Sequence, residues 1–126
     1  MRPVSAETFS SGDLLETVGA ELDILTELRD IFAGEASRLL ADIDAGLASI
    51  DANKVRIGAH TLKTVVANVG GRASRELAAA MEEAARAPQP DFGVMHTLSG
   101  QLTKEVEALR VAFEAYVTDL ANGASA

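Results

Sequence analysis

The chain has 126 residues, 48% hydrophobic but only 4% aromatic, and a formal net charge of −8 at pH 7. That length without internal repeats fits one domain with a single core, and the negative balance argues against nucleic-acid binding, which relies on a basic stripe to neutralise phosphates. The absence of cysteine excludes disulfides, cysteine nucleophiles and thiolate metal sites.

No run of about 18 apolar residues is available to span a bilayer. The opening residues Met1 to Glu7 also lack the apolar core of a signal peptide, so no membrane is expected and the expected location is cytoplasmic. Ala and Leu dominate the apolar set and Pro is confined to positions 3, 88 and 90, which predicts an all-α protein.

Taken in order, residues 1–8 read as a flexible leader and residues 9–18 as a short helix that starts near Ser10 or Ser11 and stops at Gly19. Across residues 21–50, Leu25, Leu28, Phe32, Ala36, Leu39, Ile43, Leu47 and Ile50 keep helical period, a rod of roughly 45 Å with Gly34 and Gly46 as weak points. Asp51 or Asn53 then caps the next helix. Its apolar stripe is Val55, Ala59, Leu62, Val66 and Val69. Gly58 lies near that stripe, where a missing side chain lets a neighbouring helix approach, and Gly70-Gly71 ends the helix with a left-handed residue.

Residues 74–87 form the following helix, with Leu77, Met81 and Ala84 inward, and Pro88-Gln89-Pro90 breaks it. The last helix, residues 91–120, carries Phe92, Met95, Leu98, Leu102, Val106, Leu109, Phe113, Tyr116 and Leu120 on its buried stripe, and residues 121–126 form a frayed tail. Substantial helices joined by short turns predict an up-down-up-down four-helix bundle, residues 9–120, with a short extra N-terminal helix. Continuous stripes satisfied within one chain predict a monomer.

His60 is the residue that this pattern leaves unexplained. At about 100° per residue its imidazole projects roughly 140° from the centre of the apolar stripe, so it faces water. Arg56, Ile57, Lys63, Thr64 and Ala67 are its neighbours one or two turns away. A neutral imidazole nitrogen near pH 7 can attack a phosphoryl group and release it to a carboxylate, and the Lys63 ammonium on the same surface offsets charge on a loose phosphoryl transition state. Most surface histidines are only solvated polar residues, and spacing alone leaves that reading ahead. Arg56, Lys63, Arg72, Arg75 and Arg86 concentrate positive charge in or after this helix.

His60-Thr61-Leu62-Lys63, followed by Gly70 ten residues after the histidine, resembles the signature of the histidine-containing phosphotransfer (HPt) domain of multistep two-component phosphorelays. The likeness extends over residues 9–118 through the order of the helices. It implies that His60 accepts the phosphoryl group, that Lys63 stabilises charge, and that Ile57, Thr64 and Ala67 touch the partner. Arg56 is expected to support the site. It further implies that Glu82 and Arg86, otherwise an ordinary i, i+4 surface pair, flank the imidazole, with Glu82 accepting a proton from its second nitrogen and fixing the tautomer. The implied partners are response-regulator receiver domains and a (hybrid) histidine kinase. The chain itself is expected to bind no cofactor or metal, since Mg²⁺ belongs in the receiver's acidic pocket.

Thr64 departs from the family pattern, which has Gly or another small residue there so that the receiver backbone can close over the histidine. Two functions therefore stand side by side. In one the chain shuttles a phosphoryl group between receiver aspartates; in the other it is an adaptor, incompetent for phosphorylation, that binds a signalling partner through the His60 face. No Gly-rich phosphate loop accompanies either, so an ATP-dependent autokinase is not expected. His96 repeats part of the motif in His96-Thr97-Leu98-Ser99, but Ser99 stands where Lys is wanted, and its place beside the buried stripe predicts a half-buried structural histidine. Neither histidine has a set of metal ligands at helical spacing.

Overall fold

Helix boundaries in this chain follow from caps carried in the sequence. The Ser10 hydroxyl accepts from the Asp13 amide and opens α1, Ser11–Val18; Asp51 accepts from Lys54 and opens α3, Ala52–Asn68; Asp91 accepts from Val94 and opens α5, Phe92–Ala121. Each satisfies an amide that a first turn leaves without a partner. The other two, α2 (Leu22–Ala48) and α4 (Arg72–Arg86), start without a side-chain cap. The computed structural model describes residues 7–123, and among these the five helices are accompanied by no strand.

Helix α2 packs on α3, α3 on α4, α4 on α5 and α5 back on α2, while α1 lies against α3. The shared interior is aliphatic, with Leu25, Leu39, Ile43, Val55, Leu62, Val66, Met81, Met95, Leu102 and Leu109 buried. Phe113 meets Phe32 edge to face and Phe9 in a stacked pair, joining the long helices to the segment before α1. Two glycines set how close the helices come. A Cβ on Gly58 would stand 3.0 Å from Ile43 Cγ1, and one on Gly46 would stand 2.8 Å from Val55 Cγ2, so α2 and α3 lie nearly backbone to backbone. Gly46 is thus a packing contact rather than a weak point, whereas Gly34 faces open space.

Several expectations shift. Helix α2 ends at Ala48, and Ile50, with φ 52°, is 73% exposed in the turn, because the chain reverses before the stripe can continue. Helix α4 begins at Arg72, and its wedging between α3 and α5 buries Ser74, Ala78, Met81, Glu82 and Ala85, leaving Leu77 and Ala84 at the margin. On α5, Ser99 and Val117 take buried positions, and Phe92, Leu98, Tyr116 and Leu120 are only partly covered. His96 is exposed rather than half-buried; the buried polar residue of this stretch is Ser99, whose hydroxyl donates to Asp44 on α2.

Of the expected leader, residues 1–6 lie outside the described residues. Glu7 and Thr8 are held: the Glu7 carbonyl accepts from the Ala73 amide, its carboxylate meets Arg72, and the Thr8 hydroxyl donates to Glu105. Phe9 precedes α1 rather than starting it. At the other end α5 includes Ala121, and residues 124–126 of the expected tail lie outside the described residues.

The Ser74 hydroxyl is fully buried and has no hydrogen-bond partner among the described residues. Burying an unpaired hydroxyl is unfavourable, and Ala is the better helix former. Ser74→Ala is therefore expected to stabilise the protein, by up to about 1 kcal/mol in urea unfolding; a loss of stability would mean that a partner for this hydroxyl exists in solution.

Candidate functional site

On α3 the buried positions Val55, Ala59, Leu62 and Val66 anchor one face, and this alone turns His60 outward. Its side chain is 60% exposed. The close approach of α2 at Gly58 lies on the opposite, buried side of the same turn. Helix α4 runs alongside, and its residue at the level of His60 is Glu82.

Glu82 is only 5% exposed, yet it is the hub of the site. Its Oε2 lies 2.8 Å from His60 Nδ1 and also accepts from Arg86 Nη2 at 2.8 Å. Its Oε1 accepts from Lys63 Nζ at 2.7 Å. The Lys63 hydrogen bond holds the Glu82 carboxyl below the usual carboxylate range, against the opposing effect of burial, with His60 adding to the downward shift. An ionised carboxylate can only accept, so the shared proton belongs to Nδ1. The other ring nitrogen, Nε2, then keeps its lone pair and points away from Glu82. A buried carboxylate is tolerable because the cations compensate it.

The remaining residues expected at the site divide. Ile57 is 52% exposed, and Thr64 is exposed one turn beyond His60. Ala67, half-covered, lines a cleft of about 730 Å³ between α1, the end of α3 and the start of α4, together with Asp13, Glu16, Arg72 and Arg75. Arg56 does not join the Glu82 cluster, for its guanidinium is held by Asn53 Oδ1 at 2.9 Å, one turn back on the same helix. The cationic concentration is also reduced by pairing: Arg72 lies against Asp13 and Glu7, and Lys63 and Arg86 against Glu82.

Neither that cleft nor the smaller groove beside Ile57 and Thr61 includes His60. An exposed nucleophile outside both of these clefts suits a reactive group presented by a macromolecule better than a small substrate that must be enclosed. The burial of Glu82 was not legible in the pattern of α4, where an i, i+4 Glu-Arg pair normally marks a solvated face. The tie between Lys63 and Glu82 crosses helices and leaves no local trace.

The family model described as Hpt domain matches residues 27–112. The fold is similar to the crystal structure of histidine-containing phosphotransfer protein B (HptB) from Pseudomonas aeruginosa PAO1, with a TM-score of 0.80 and 23% sequence identity over 90% of this chain and 97% of that one. No curated protein sequence matches the chain. Among the described residues no helix is long and apolar enough to cross a membrane.

Proposed function

The chain belongs to the Hpt domain family, and from that premise we propose that it is a histidine phosphocarrier, with His60 receiving a phosphoryl group from the aspartate of one receiver domain and passing it to another. The observation that carries this reading is the exposed imidazole whose Nδ1 lies 2.8 Å from a buried carboxylate. Nε2 attacks the phosphorus of the partner's aspartyl phosphate, the Nε2–P bond forms, and the P–O bond breaks with its electron pair leaving on the partner's carboxylate. The ring then carries positive charge while Nδ1 keeps its proton, and the Glu82 carboxylate faces that charge. Transfer onward is the same step reversed toward a second aspartate.

In this reading the chain needs no cofactor of its own, because the Mg²⁺ that neutralises phosphoryl oxygens belongs to the receiver. It is a transfer intermediate without ATP-dependent kinase activity, and its partners are response-regulator receivers and a hybrid histidine kinase. We place it in the cytoplasm as a monomer on an up-down-up-down bundle of α2 to α5, with α1 as a short addition. Ile57, Thr64 and Ala67 would form the contact surface, a patch suited to a weak, transient complex. The direct test is incubation with phosphorylated receiver domains: acid-labile phosphate on His60 is expected, and none with any receiver would overturn the carrier reading.

Thr64 gives that second reading its footing, since a branched side chain one turn from His60 flanks the approach of a receiver loop. Thr64→Gly is expected to transfer faster at saturating partner while losing up to about 1 kcal/mol of stability through helix propensity. If the variant is less stable but no faster, the native partner already accommodates the threonine methyl.

A further inference from the structure

We infer that Lys63 is a positioning residue that acts on His60 through Glu82, rather than a cation that touches the transferring phosphoryl group. This deepens the phosphocarrier reading and rests on it for its functional consequence. The ammonium of Lys63 is on Glu82 Oε1 at 2.7 Å, while the imidazole is on Oε2. Because the Nδ1 edge of the ring faces the carboxylate, the attacking nitrogen Nε2 is the one turned away from the group that holds Lys63. In this state the ammonium serves the carboxylate.

Removing Lys63 would change more than charge. Glu82 would keep Arg86, whose guanidinium already donates to Oε2, and Oε1 would be left without its donor in a nearly buried position. The terminal torsion of a glutamate is broad and roughly two-fold, and an arginine fork takes both oxygens of a carboxylate when both are open to it. The carboxylate is then free to turn into a two-bond pair with Arg86, and Nδ1 loses its sole acceptor. Lys63 prevents this by occupying Oε1, which leaves Oε2 pointed at the imidazole. The lowered proton affinity of Glu82, caused first by the Lys63 hydrogen bond, agrees with the geometry. Lys63 suits the task because its side chain is largely covered, 28% exposed, whereas that of Arg86 is 55% exposed and also approaches Glu83.

The tautomer of His60 in the unphosphorylated protein separates the two roles. With ¹⁵N-labelled histidine and long-range ¹H–¹⁵N spectra at pH 8, the wild-type protein should show the Nδ1–H pattern for His60. Lys63→Met should shift it to a majority of the Nε2–H form and slow single-turnover transfer from a phosphorylated receiver by about 10- to 100-fold, the range for losing a group that orients a reacting ring. Lys63→Arg should restore the Nδ1–H pattern and most of the rate.

An unchanged Nδ1–H pattern in Lys63→Met, with transfer slowed, would overturn the proposal and assign Lys63 directly to the phosphoryl group. An Nε2–H pattern in the wild-type protein would overturn it as well. Because the tautomer is read without any phosphate, absence of transfer from the wild-type protein would defeat the carrier reading alone and leave the positioning result standing.

Discussion

His60→Gln is expected to take up no phosphate from phosphorylated receiver domains, while its urea unfolding midpoint stays close to that of the wild-type protein. The loss is complete because an amide has no nucleophilic lone pair like that of Nε2, and no other group in the cluster can replace it: Lys63 and Arg86 are cations, and Glu82 is nearly buried. Stability should change by no more than about 0.5 kcal/mol, the ordinary range for an exposed site. The buried carboxylate does not become an orphan in the variant, since Lys63 and Arg86 still donate to it. His96→Gln is the control. The chain has 2 histidines, and His96 is exposed on α5 with no carboxylate hydrogen-bonded to its ring among the described residues, so its variant should label fully. Label retained in His60→Gln and lost in His96→Gln would move the acceptor and remove the basis of the present assignment.

The sequence revealed the site where it depends on one helix, and hid it where two helices meet. The period of Val55, Ala59, Leu62 and Val66 determines which way α3 faces, and the outward direction of His60 follows by angle alone. Caps act within three residues, so the starts of α1 and α3 were readable as Ser10 or Ser11 and Asp51 or Asn53, of which Ser10 and Asp51 make the bonds. Asp91 caps α5 where the pattern had it as the first helical residue. The role of Glu82 came only through the family resemblance, not from the pattern of α4. Its neighbours on α4 are mostly alanines, and nothing in that stretch reveals that it will lie beneath an imidazole and an ammonium from α3. Arg56 fails for the same reason in reverse, because adjacency on a helical net cannot say that Asn53 will capture it. Ile50 continues a helical period that the backbone has already abandoned. Glu7 and Thr8 look like leader residues because the groups that bind them, on Ala73, Arg72 and Glu105, are distant in sequence.

Gly70→Ala is expected to be the most damaging small substitution away from the chemistry. Gly70 follows the end of α3 with φ +79°, in the left-handed region, where a Cβ costs about 1–2 kcal/mol. The strain is the smaller part. A Cβ there would stand 2.2 Å from the Ser10 carbonyl oxygen, and a backbone oxygen cannot escape by changing rotamer. Relief requires the segment before α1 to retreat, which would break the Ser10 amide's bond to the Gly70 carbonyl at 2.8 Å and disturb the neighbouring Ala73 amide bond to Glu7. It would also loosen Leu14, which is fully buried, and the pairing of Arg72 with Asp13 and Glu7. A total loss of about 2–4 kcal/mol is expected in urea unfolding, at the upper end for single substitutions. Gly34→Ala is the matched comparison, since its Cβ would meet nothing and it lies within α2; it should gain up to about 1 kcal/mol. If Gly70→Ala is as stable as the wild-type protein, the segment before α1 does not seal the α3–α4 turn, and the relative height of His60 on α3 and Glu82 on α4 must be set by the helix interface alone.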